Sequence, residues 1–343
     1  MALLALAAIA AALLHPSSTV LTPVTDTQLL GQRIMVGLPG TTADAELLAQ
    51  VRGGQVGAVV LYAYNVVSTQ QVQALTGTLQ HAARAGGNPP LLIAIDQEGG
   101  QVKRFPNAPP FVPPPQMGST AFREGQLTGR YLKARGINMD LAPVADVPTS
   151  ASSFMWKEGR TFSFNPGVVA REATAFARGL QSAGVAAAAK HFPGIGSAQT
   201  NTDNKLDELH PTSAQRTASL RPYEQLIPSG VDSIVLSTAG FPAYDPSGAP
   251  AALSRAVISG LLRGRLQFGG VALTDSLWSP TGHDPVTAGV IAAAAGADIL
   301  LYRDSASGEL SALKAALRRG RINRSEALAS YDRIVQLKVK LGG

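Results

Sequence analysis

Short apolar runs alternate with longer stretches of mixed polarity along almost the whole chain. The runs cover residues 34–36, 57–62 (GAVVLY), 91–96 (LLIAID), 138–147 (NMDLAPVADV), 185–189 (VAAAA), 231–237 (VDSIVLS), 270–275 (GVALTD) and 297–302 (ADILLY). Most are too short for helices, and they are near-continuously apolar rather than alternating, the pattern of strands buried on both faces. Between them, helical patterns run over 43–51, 69–85, 121–135, 168–183, 214–226, 254–262 and 285–295. A short helix from Asp26 precedes the first run, and two helices over 309–341, broken at Gly320, follow the last. The Arg and Lys residues of that closing pair read as a solvated outer face. Eight β/α repeats without hairpin-type strands predict a single-domain α/β protein, a closed (β/α)₈ TIM-type barrel, because parallel strands require crossover helices. The rival, an open doubly wound sheet, lacks support: no G-x-G-x-x-G follows the first strand, and the GIG at Gly194–Gly196 comes after the fifth.

Two stretches depart from the repeat. Residues 2–14 are uninterruptedly apolar, the length of a signal-peptide core and too short for a comfortable membrane span. Residues 1–19 are therefore read as a signal peptide or N-terminal anchor, with the barrel over 20–343 and an exported, extracellular or cell-envelope-associated location, although no Lys or Arg precedes Arg33. The Pro-rich segment 106–115 is too proline-heavy for a simple connector and reads as a loop covering a site.

Composition narrows the chemistry. With 45% hydrophobic and 15% charged residues the chain is globular, and the absence of cysteine removes disulfides, thiolate metal sites and a cysteine nucleophile. The net charge of +6 lies on no dense basic run interleaved with aromatics, so no nucleic-acid module is expected; a basic surface is compatible with an anionic cell wall. The five histidines show no metal-ligand spacing, and neither a G-x-S-x-G elbow nor a Walker loop occurs. No metal or cofactor is expected.

In a parallel barrel, functional side chains gather at the carboxyl ends of the strands. Polar residues fall there repeatedly: Asp96 and Glu98, then Arg104, Asp146, Arg160, the pair Lys190 and His191, Asp203, and Asp275. Carboxylates interleaved with Arg and Lys suit sugar recognition, since charged planar groups bind vicinal hydroxyls with two hydrogen bonds. Sugar cleavage needs one carboxylate nucleophile and one proton donor. Asp275, directly after GVALT, is the best single candidate for a carboxylate whose protonation is under tight control, the plainer reading being a structural acid paired with Lys190 or Arg160, and nearby cations such as Lys190 are expected to lower its pKa.

IDQEGGQVKRF, KHFPGIG and ALTDSL, with the closing RINRSEALASYDRIVQLK, resemble the motifs of family 3 glycoside hydrolases, specifically the single-domain bacterial β-N-acetylglucosaminidases of the peptidoglycan-recycling type. The resemblance runs from Asp26 nearly to the end. It implies a (β/α)₈ barrel that releases terminal β-linked N-acetylglucosamine with retention, acting on a carbohydrate partner without a cofactor. On this resemblance Asp275 matches the nucleophile, while Asp96, Arg104, Arg160, Lys190 and His191 match substrate contacts.

The family loop continues as KHFPGHG and then Asp-Ser-His, whose His is the acid/base and whose Asp is its partner. Here it reads KHFPGIGSAQTNTD, with Ile195 in place of the first His, Asn201 at the partner Asp and Asp203 at the acid/base His. Three readings follow. Asp203 donates the proton itself, as carboxylic acids do in most glycosidases; His210, farther along the loop, swings in; or the barrel binds cell-wall sugars with little turnover.

Overall fold

The computed structural model describes residues 24–303 and 307–342, so the segment read as a signal peptide or anchor lies outside the described residues. Eight strands form the barrel: Ile34–Val36, Ala58–Leu61, Leu92–Ile95, Met139–Asp140, Ala186–Phe192, Ser233–Leu236, Val271–Thr274 and Leu300–Tyr302. All are parallel, and each pairs with its neighbour in chain order. The eighth returns to the first through Ile34↔Leu300, Met35↔Leu301 and Val36↔Tyr302. The remaining seam is joined by a single Leu273↔Ile299 bridge. There Thr274 donates its N–H to the Ile299 carbonyl at 2.9 Å.

Strand residues alternate between two cores, as the twofold period of a strand requires. Met35, Ala58, Val60, Leu92, Ala94, Met139, Ala186, Ala188, Leu273 and Leu301 fill the barrel interior. Their neighbours Ile34, Val36, Val59, Leu61, Ile93 and Ile95 face the helix layer. Glycine sets how closely that layer packs: a Cβ on Gly125 would lie 2.2 Å from the carbonyl of Phe176, and one on Gly179 2.2 Å from that of Phe122. Helices Ala121–Lys133 and Pro166–Ser182 touch along these bare positions.

The pattern of runs and helices holds, with three corrections. The fourth strand is only two residues long, because Pro143 has no N–H to continue the ladder; pairing resumes as an isolated Val144–Lys190 bridge. A small antiparallel hairpin, Gln97–Gly99 with Val102–Lys103, projects beyond the third strand although no hairpin is expected from the sequence. Polar side chains inside it hide the strand signal from hydrophobic patterning. The basic face of the last helix, Arg324–Lys340, is not solvated throughout. Arg333 reaches Asp298 at 2.8 Å and Lys340 reaches Asp232 at 2.5 Å. Lys338 is buried, donating to the Gln32 side chain and the Gly57 carbonyl. With Ile334, Leu337 and Leu341 in the interior cluster, this helix plugs the amino end of the barrel.

Candidate active site

The opposite end opens into a cavity of about 510 Å³. Asp96 leaves the third strand, Lys190 and His191 lie within the fifth, Asp275 follows the seventh and Arg303 the eighth. Of the nine candidates read from the sequence, eight line this one cavity, Asp96, Glu98, Arg104, Arg160, Lys190, His191, Asp203 and Asp275, together with Asn201, while Asp146 is buried behind the lining. His210 does not line it. It is exposed, with Nε2 3.9 Å from Glu208 Oε2. Nor does the Pro-rich segment 106–115 contribute to the lining. It packs behind the hairpin, where the Gln97 amide donates to the carbonyls of Phe105 and Pro109 at 3.0 and 2.8 Å.

One charge network forms the cavity floor. Lys190 Nζ lies 2.6 Å from both Asp96 Oδ1 and Glu98 Oε1. Arg104 Nη2 donates to Asp96 Oδ2 at 2.9 Å, and Arg160 holds Glu98 with two parallel bonds of 2.8 and 2.7 Å. Burial alone would raise both carboxyls, but the cations overcome it. Lys190 and Arg104 hold Asp96 well below the usual carboxylate range, and Arg160 and Lys190 bring Glu98 down to about 2. The Lys190 side chain, only 5% exposed, stays protonated despite burial because both carboxylates face it. Beneath them Asp140, fully buried, accepts the Gln97 N–H at 2.9 Å; burial pushes its carboxyl up to about 8.

Asp146 organises the next element. Fully buried, it meets His191 Nδ1 at 2.7 Å and accepts the backbone N–H of Ile195 at 2.8 Å. Ile195 itself is buried, so at this position the chain supplies packing and a backbone donor rather than an imidazole. The other ring nitrogen of His191 stands 4.0 Å from Asp275 Oδ2.

Asp275 is held by its backbone, with its N–H on the Leu236 carbonyl at 2.9 Å, and its Oδ1 accepts the N–H of Ser276 at 2.8 Å. Its carboxyl is raised, not lowered, from the ordinary value. His191 and Lys190 do pull it down, but burial and the neighbouring Asp203 carboxylate push it up more. Asp203 sits exposed on the loop after the fifth strand, its N–H capped by Asn201 Oδ1 at 2.9 Å and its Oδ1 accepting from Ser279 Oγ at 3.2 Å.

Several lining residues escape sequence reasoning: Tyr62, Tyr64, Trp278, Ser279 and Arg303. Tyr62 and Arg303 sit where Asp96 and Asp275 do, one step past a strand, so position alone marks them. Tyr64, stacked on Tyr62 at 5.6 Å, and the half-exposed Trp278 lie in loops with no periodic signal. Among the described residues no group of three or more His, Asp or Glu side chains is arranged to hold a metal ion.

Fold and cavity together define the class: a (β/α)₈ barrel with carboxylates and fixed cations lining a cavity at its carboxyl end, where barrel enzymes carry their sites. The chain belongs to glycosyl hydrolase family 3, whose N-terminal domain matches residues 27–337. An uncharacterized secreted glycosyl hydrolase from Arthroderma benhamiae is 35% identical over 335 residues, covering 91% of this chain and 92% of that protein. A beta-hexosaminidase from Nitrosomonas eutropha is 34% identical over 258 residues, 71% of this chain and 72% of its own length. Among solved structures, a glycoside hydrolase family 3 β-N-acetylglucosaminidase from Paenibacillus sp. str. FPU-7 matches 92% of this chain with a TM-score of 0.87 and 33% identity. This chain spans 62% of that protein, less than two thirds of its length.

Proposed function

We propose that this protein is a retaining β-N-acetylhexosaminidase that releases terminal β-linked N-acetylglucosamine from cell-wall glycans. The observation that carries the reading is the meeting of Asp275 and Asp203 in one cavity floored by the Asp96–Arg104–Lys190–Glu98–Arg160 network. The similarity to a beta-hexosaminidase and to a β-N-acetylglucosaminidase supports the choice of sugar. Residues 1–19 act as the export signal or anchor and 20–343 form the catalytic barrel; the similarity to a secreted relative supports that setting.

In this reading Asp275 attacks the anomeric carbon while the bond to the leaving oxygen breaks and Asp203 passes its proton to that oxygen. The glycosyl ester on Asp275 is then opened by water, which gives one proton back to Asp203 as its oxygen bonds the sugar and Asp275 departs as carboxylate. Asp96, Arg104 and Lys190 are the sugar-hydroxyl contacts, His191 lies beside the nucleophile, and Arg160 secures Glu98 behind them.

The purified protein is expected to release nitrophenol from its β-N-acetylglucosaminide. Asp275→Asn abolishes this while leaving sugar binding intact, and a 5-fluoro sugar substrate traps a covalent adduct on the wild type, read by mass spectrometry. Asp203→Ala slows natural glycosides about 10² to 10⁴-fold, far more than substrates with activated leaving groups. Saturable sugar binding with neither turnover nor adduct would make it a cell-wall sugar-binding protein instead.

A further inference from the structure

The proposed donor sits on a loop fastened at both ends but not at its tip. At the start, Thr149 and Phe154 donate their N–H groups to the carbonyls of Gly196 and Ala198 at 3.1 and 2.8 Å, and the Ser153 hydroxyl also reaches Gly196 at 2.7 Å. Gly196 permits this contact, since a Cβ there would lie 1.8 Å from the Val147 carbonyl. At the far end, the Leu209 N–H donates to the Gly240 carbonyl and the Gly240 N–H donates to the Asp207 carbonyl, both at 2.9 Å. Between these anchors Asp203 and its neighbours from Asn204 to Leu206 are exposed. An exposed carboxyl on such a tip has no fixed distance from Asp275 unless another element supplies one.

Ser279 supplies it. Its hydroxyl, on a buried residue, donates to Asp203 Oδ1 at 3.2 Å. Ser279 closes a turn that begins at Asp275 itself: its N–H bonds the Ser276 carbonyl at 3.0 Å, and the Ser276 N–H bonds Asp275 Oδ1 at 2.8 Å. The middle of that turn is pinned to the eighth strand, where Leu277, buried, donates its N–H to the Leu301 carbonyl at 2.9 Å.

We propose that Ser279 is a positioning residue that holds the proton donor Asp203 at a set distance from Asp275. One rigid turn, 275–279, thereby carries the nucleophile at one end and the locator of the acid at the other. The proposal rests on the reading of Asp203 as the donor. It also accounts for how this loop works with Asn201 and Asp203: the carboxyl is oriented by a hydroxyl from another strand end and its backbone by the Asx turn of Asn201.

The test compares S279A, D203A and the double variant of the full chain on two β-N-acetylglucosaminides, one with a poor alkyl leaving group and one with an activated dinitrophenyl group. S279A is expected to lower kcat/KM on the alkyl glycoside about 10- to 100-fold more than on the activated one. S279C, which keeps the volume but donates weakly, reproduces this split. In the D203A background the serine substitution has no further effect on leaving-group dependence. Equal slowing of both substrates by S279A, or a full S279A effect without Asp203, overturns the proposal. A wild type that forms no covalent adduct, or a D203A variant without the leaving-group split, instead overturns the function reading on which it stands.

Discussion

At the scale of single residues, the site turns on how one carboxyl is held. Asp275 is 23% exposed, and burial together with Asp203 raises its pKa against the pull of His191 and Lys190. A nucleophile must be ionised, so a raised pKa moves the acidic limb of kcat/KM to higher pH than a free aspartate gives. Asp203→Asn removes the like charge without changing shape. On an activated substrate, where the acid matters least, the acidic limb is expected to move to lower pH; a pH–rate profile reads the shift. Asp96, Lys190, His191 and Asp275 are legible because they stand where an apolar run stops, a position at which an unpaired charge would be costly. Their partners are not legible. That Lys190 bridges Asp96 and Glu98, or that Asp146 faces His191, depends on contacts between residues up to 94 positions apart.

At the scale of elements, the last helix shows how hydrophobic patterning fails. Its Lys338 is buried without a carboxylate partner, and burial pushes its ammonium down to about 7 from 10.5. The unfolded chain keeps that proton up to the ordinary lysine value while the folded chain releases it near neutrality. Between those two values the unfolded state binds more protons, so stability rises with pH from about 7 to 10.5. Lys338→Met is expected to remove that slope, measured as the denaturant midpoint across the same pH range. A lysine on an amphipathic helix reads as solvent-facing by type; only the docking of this helix under the barrel places it inside. The hairpin at residues 97–103 is hidden for a related reason, since Gln97 and Glu98 are buried polar residues satisfied by partners far along the chain.

At the scale of the whole molecule, closure of the barrel rests on the seam between its seventh and eighth strands. Asp298, fully buried at the amino end, accepts from Arg263 at 2.5 Å, from Arg333 at 2.8 Å and from the Ala272 N–H at 2.8 Å. Asp298→Ala leaves two guanidiniums facing an empty position and is expected to destabilise the fold by about 3–5 kcal/mol in urea unfolding. Activity per folded molecule should hold, because the seam's charge cluster lies at the end opposite the cavity. The sequence by itself determined the eight-fold repeat, the strand ends and the identity of the polar residues there, since short-range periodicity and the cost of burying charge are local properties. Tertiary structure alone decided which cations neutralise which acids, that Asp203 raises Asp275 instead of leaving it to Lys190, and that Ser279 meets Asp203 across 76 positions. Those outcomes are set by distances between strand ends, and such distances exist only once the sheet has curved round and met itself.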